Sequence, residues 1–187
     1  MDKKYQIIYA DPPWNFKYMG KSNPNDMAVY RACEHYKTME IEDIKKLPVP
    51  ELADKNCILF MWVIDTMLPE AFEVIKSWGF TYKTTGFYWV KQNKDTSNFF
   101  GLGYWTRCNP ELCLLATKGK ISRISKSVEK LTFAPRLKHS QKPNIFRQKI
   151  IDLMGDLPRI ELFARQKTPG WDVWGNEIPN DVELTNV

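Results

Sequence analysis

Near its start the chain carries a short, mostly apolar run, Tyr5–Ala10 (YQIIYA), that stops abruptly at Asp11-Pro12-Pro13-Trp14. The run is rich in β-branched and aromatic side chains and too short for a helix, so it reads as a buried strand. The prolines fix φ twice and remove two N–H donors, so no regular element continues through them. A strand must therefore end in a stiff corner that carries a carboxylate. Further strand-like runs lie at Asn56–Ile64 (NCILFMWVI), Thr81–Val90, Glu111–Thr117 and Arg159–Ala164. Helices are predicted over Thr38–Leu47, from a Thr66 cap to Trp78, and from Pro143 to Met154, with Gly79 and Gly155 as stops. Residues 15–37, 92–110 and 118–140 read as loops. Strands alternating with helices predict a single α/β domain over residues 1–187 with a mainly parallel sheet. In such sheets ligands sit beyond the carboxyl ends of the strands. Asp11, Lys118 and Arg165 each follow a predicted strand and are expected to converge on one crevice.

Composition narrows the class. With 43% hydrophobic and 13% aromatic residues among 187, the chain is not a disordered polymer. No stretch approaches the roughly 20 apolar residues of a membrane helix. The opening MDKKYQIIYA is too short in apolar residues for a signal peptide, so a cytoplasmic location is expected. Cys33, Cys57, Cys108 and Cys113 form no Cys-x-x-Cys pair, and His35 and His139 stand far from any such spacing. No metal site is predicted, and the thiols are expected to be reduced. Gly101-Leu102-Gly103 is not a dinucleotide turn: Thr106 takes the third glycine position and no helical pattern follows. The net charge of +5 is unevenly spread. Residues 118–149 hold 10 basic and 1 acidic side chains, whereas residues 150–187 hold 3 basic and 7 acidic. Concentrated positive charge points to a polyanion, hence nucleic acid, although a solvated face is the plain alternative.

Asp11-Pro12-Pro13-Trp14 suits one kind of chemistry. The corner offers the Asp11 carboxylate and the Asp11 and Pro12 carbonyls, with few competing donors, beside the flat face of Trp14. Acceptors next to an aromatic plate fit a planar base with an exocyclic amine, adenine or cytosine. Such an amine is a poor nucleophile because its lone pair is delocalised into the ring. Fixed acceptors favour a pyramidal nitrogen and stabilise the positive charge that grows as it attacks an electrophile. An ordinary turn after a strand is the competing reading of the same four residues.

Several ordered segments resemble one family. They are YADPPW, HYKTM (His35–Met39), ILFMWV (Ile58–Val63), WVK (Trp89–Lys91), NPELCLLATKG (Asn109–Gly119), HSQKP (His139–Pro143), RIELFAR (Arg159–Arg165) and GWDVWGNE (Gly170–Glu177). Together they resemble the N6-adenine methyltransferases typified by the catalytic subunit of the eukaryotic messenger-RNA adenosine methyltransferase, a family with bacterial and phage members. The resemblance implies a Rossmann-like fold that binds S-adenosylmethionine, with the catalytic motif preceding the cofactor motifs. It implies that Asp11 and the Pro12 carbonyl hold the target amine within the rigid Pro12-Pro13 corner and that Trp14 flanks the base. It implies cofactor contacts from Asp11, Lys142, Arg165, Asn176 and Glu177, and a base pocket lined by Tyr36, Trp62 and Glu111. Lys118 is expected to help bind the nucleic acid. On residue type alone, Lys142 and Glu177 would be solvent-facing charges, and Tyr36 and Trp62 core aromatics. Gln141 stands where many members carry histidine.

The expected reaction is direct methyl transfer to the N6 amine of adenine, without metal or covalent enzyme intermediate. DNA is the first choice of substrate, because a small chain without a separate RNA-binding module looks more like the bacterial and phage members. RNA is the alternative, and a non-catalytic nucleic-acid-binding subunit or a small-molecule amine methyltransferase are the rivals. Phe99, Phe100, Tyr104 and Trp105 suggest either a homodimer or stacking on bases.

Overall fold

The computed structural model describes residues 3–15, 38–101, 105–137 and 141–184. The order is β1 (Tyr5–Ala10), α1 (Ile41–Lys46), α2 (Val49–Leu52), β2 (Ala53–Val63), α3 (Leu68–Ser77), β3 (Thr81–Gln92), β4 (Pro110–Lys118), β5 (Leu131–Pro135), α4 (Ile145–Met154), β6 (Arg159–Leu162) and β7 (Asp172–Trp174). The seven strands form one sheet in the order β5-β3-β4-β2-β1-β6-β7. β1 pairs in parallel with β2 and β6, β6 with β7, and β3 with β5. β4 pairs antiparallel with both β2 and β3, so it alone is reversed. The sheet is mainly parallel, as expected.

Side-chain alternation explains why β1 reads as uninterruptedly apolar: both of its faces are covered. Ile8 and Ala10 join a core with Leu59, Met61 and Trp78, on the side packed by α1 and α3. Ile7 and Tyr9 join a second core with Phe60, Trp62, Phe87 and Phe146, under α4. Trp78, at the end of α3, donates its indole N–H to the Ile44 carbonyl and ties that helix to α1. Thr66 does not cap α3. It sits in a 3-10 turn (Asp65–Met67), and Pro69 occupies the first turn of the helix, where its missing N–H costs nothing.

Two short strands escaped expectation. β5 lies inside the segment read as a basic loop, and its outward residues are Leu131 and Phe133 while Thr132 and Ala134 are buried. β7 is three residues long and packs where Gly175 passes Ala164. A Cβ at Gly175 would lie 2.1 Å from the Ala164 carbonyl oxygen. Gly175→Ala should therefore force the strand off its neighbour at a cost of about 1–3 kcal/mol, which a denaturant titration would read.

Candidate active site

The carboxyl ends of β1, β6 and β7 share one edge of the sheet because these strands run the same way. The corner after β1 is pinned on all sides. Asp11 N–H donates to Leu162 O at 3.4 Å, Trp14 N–H to Pro12 O at 2.9 Å, and Met39 N–H to Pro13 O at 3.0 Å. Trp14 is buried and donates its indole N–H to the Trp62 carbonyl at 3.0 Å. The tryptophan is thus the anchor of the corner rather than an open plate beside it. Pro12 O spends one lone pair on Trp14 and keeps the other.

Beside the corner, four charges alternate. Lys142 Nζ, held near the start of α4, lies 2.7 Å from Asp11 Oδ2 and 3.2 Å from Glu111 Oε2. Lys91 Nζ, near the end of β3, meets the other Glu111 oxygen at 2.5 Å. Lys142 is the deepest of the four, 6% exposed against 22% for Asp11. Its ammonium lies over the Trp62 ring, 5.4 Å from the centroid. A crevice opens alongside, lined by Asp11, Gln141, Lys142, Arg147, Glu161, Arg165 and their neighbours. Arg147 and Glu161 form a buried two-bond pair, Nε to Oε2 at 2.7 Å and the NH2 nitrogen to Oε1 at 2.5 Å. Asn144 accepts from the same guanidinium and from Gln166, which in turn accepts from Gln141.

Position divides these carboxyl groups. Burial pushes Asp11 above its ordinary 3.8, against the pull of Lys142. Burial also acts on Glu111, but Lys142 and Lys91 outweigh it and hold that carboxyl below 4.5. For Lys142, burial is outweighed by Asp11 and Glu111, which raise it and keep it protonated. The Glu111 shift contributes stability above its ordinary value, lost as pH falls through the folded one. The Asp11 shift has the opposite sign. Carboxyl NMR should show Asp11 titrating above 3.8 and Glu111 below 4.5. Glu111→Gln should move the Asp11 midpoint down, because it removes a neighbouring negative charge.

The sheet thus brings Asp11, Lys142 and Arg165 together, with Glu111 joined through Lys142. It does not bring in Lys118. Because β4 is reversed, Glu111 stands at the site edge, whereas Lys118 pairs with Cys57 at the opposite edge and donates to Pro50 O. Trp62 is 1% exposed, donates its indole N–H to the Tyr9 hydroxyl and lies under the Lys142 ammonium, so it packs in the core directly beneath the site. Asn176 and Glu177 are exposed just beyond β7 and are not among the crevice residues. Tyr36 lies outside the described residues. The basic segment divides as well. Ile124 N–H bonds to Leu153 O at the far end of α4, while Arg136 N–H bonds to Gln92 O at the site edge. The sequence pattern by itself assigns no role to Lys91, Arg147 or Glu161. An acid inside the apolar strand RIEL was the available signal, since a buried carboxylate needs a partner.

The MT-A70 family model matches residues 5–177, nearly the whole chain. The chain belongs to the MT-A70 family. This is a family of N6-adenine methyltransferases, and the MT-A70 match runs from β1 to just past β7. The type II methyltransferase M.MunI of Mycoplasma sp is 35% identical over 97% of this chain and 82% of its own length. The N(6)-adenine-specific methyltransferase METTL4 of Mus musculus is 28% identical over 94% of the chain. The N6-methyladenosine RNA methyltransferase MTA1 of Pyricularia oryzae is 23% identical over 97%. The chain spans 38% of METTL4 and 49% of MTA1. No helix among the described residues is long and apolar enough to cross a membrane.

Proposed function

We propose that this MT-A70 chain transfers a methyl group from S-adenosylmethionine to the N6 amine of adenine in DNA. The observation that carries the proposal is the Asp11 carboxylate, fixed at the end of β1 by Lys142 and open to the crevice. Lys142 engages Oδ2, which leaves Oδ1 to accept from the amine, with the second lone pair of Pro12 O as the other acceptor. Both acceptors are stationary before substrate arrives, so little reorganisation is needed as charge develops on nitrogen. The proton released afterwards passes to Asp11 or to water.

The crevice fits the cofactor by its donor set. A methionine tail carries a carboxylate and an ammonium, and the crevice offers cations (Lys142, Arg165) beside an anion (Asp11), with Gln141 and Gln166 for neutral polar groups. Asn176 and Glu177, beyond β7, would take the ribose and adenine. Bound S-adenosylmethionine supplies a methyl group already activated on a sulfonium.

DNA is favoured because the bacterial relative, at 35% identity, is a type II methyltransferase, whereas the relative named for RNA shares 23%. Labelled methyl transfer to random-sequence duplex DNA, single-stranded DNA and RNA tests this. Incorporation should be highest with DNA. Equal or greater transfer to RNA would move the substrate, and none to any pool would leave a non-catalytic binding subunit.

A further inference from the structure

A second feature lies at the same edge of the sheet. Arg136 stacks its guanidinium on Phe99, 4.4 Å from the ring centroid. Phe100 is 71% exposed and Trp105 91%. Large aromatics this open to water in a chain with two full cores serve neither core. The backbone that carries Phe99 and Phe100 is nevertheless fixed. Phe99 N–H bonds to Lys91 O at 3.1 Å, Lys91 N–H to Asn109 O at 3.0 Å, and Arg136 N–H to Gln92 O at 3.0 Å. Gly101 comes so close to Cys108 that an added Cβ would lie 2.2 Å from its carbonyl oxygen. Phe99 and Phe100 therefore stand on a clamped neck, and ordering them on binding costs less. The clamp also meets the charge ladder directly. Lys91, whose carbonyl holds Phe99, is the residue whose ammonium pairs with Glu111, and Glu111 meets Lys142 beside Asp11.

We propose that Phe100, Trp105 and the Phe99–Arg136 stack form a platform that binds the unpaired base next to the target adenine. The proposal rests on the nucleic-acid reading above and adds that the strand is held single-stranded, or opened, at that neighbour. Aromatic faces accept any base, and adjacent cations take the phosphates. Arg136 and Arg107 supply those cations. The same charges argue against a second copy of the chain as occupant. A two-fold contact sets a patch against itself, so the arginines of each copy would approach one another. An opened strand also agrees with the acceptor corner, which reaches an N6 amine only when the base has left its pair.

The test is binding of a fluorescently labelled single-stranded oligonucleotide, in DNA and RNA arms at fixed salt, by the parent, Phe100→Ala, Trp105→Ala and Trp105→Tyr. Each alanine variant should weaken binding about tenfold, while Trp105→Tyr keeps most of it. Methyl-transfer KM should rise in step with kcat unchanged, and melting temperature should not move. Unchanged affinity in both arms for the alanine variants would overturn the platform. So would a loss of binding that coincides with dimer dissociation in sedimentation velocity, since the surface would then serve self-association. Absence of methyl transfer by the parent would sink the proposed function instead, and the binding comparison would still decide the platform.

Discussion

Asp11→Asn should slow methyl transfer by about 10²–10³-fold, with little change in melting temperature. The amide keeps the shape of the carboxylate but removes its charge. It also replaces one acceptor oxygen with a donor that repels an amine hydrogen. Stability should hold for a reason specific to this site. Burial raises the Asp11 carboxyl, so its ionised form is less at home in the folded protein than in the unfolded chain. Lys142 meanwhile retains Glu111 as a partner. Single-turnover transfer beside a thermal melt separates the two effects. A parental rate in the variant would mean that another group holds the amine.

Arg147→Ala should cost about 3–5 kcal/mol, because it strands Glu161 as an unpaired buried carboxylate. For a chain of this size that lowers the melting temperature by roughly 10 °C. Both members are nearly inaccessible, and each Glu161 oxygen accepts one guanidinium bond. Replacing both, as Arg147→Met with Glu161→Leu, should recover most of the loss, since no lone charge then remains buried. Failure of the double variant to recover would show that the pair also supports the Asn144–Gln166–Gln141 chain lining the crevice. Both proteins can be compared by calorimetry.

Much of this was legible in sequence for physical reasons. β1 and β2 are apolar on both faces, and the prolines after β1 allow only a corner, so Asp11 had to sit at a strand end. Lys142 was placed by its motif and not by any property of a lysine near a helix start. Strand direction was harder. Alternation marks a strand but not the way it runs, and the convergence expected of Lys118 needs the Glu111 strand to run parallel to β1, which it does not. Among its described residues the chain between β3 and β4 carries no helix, whereas a parallel neighbour needs a long crossover. That absence was the usable sign of reversal, and it exchanges Lys118 for Glu111 at the site. β5 was hidden because it inverts the usual pattern, with Leu131 and Phe133 outward and Thr132 inward. The burial of Trp14 and Trp62 depends on packing between distant segments, which residue type alone does not fix.

If the rigid acceptor corner presents the exocyclic amine of adenine, as proposed, the transferred methyl group must appear on that nitrogen. Nucleoside mass spectrometry on DNA incubated with the purified chain and S-adenosylmethionine tests it most directly. N6-methyladenine should be the modified nucleoside, and it should be lost with Asp11→Asn. Methyl groups found on cytosine, or N6-methyladenine formed equally well by the variant, would contradict it.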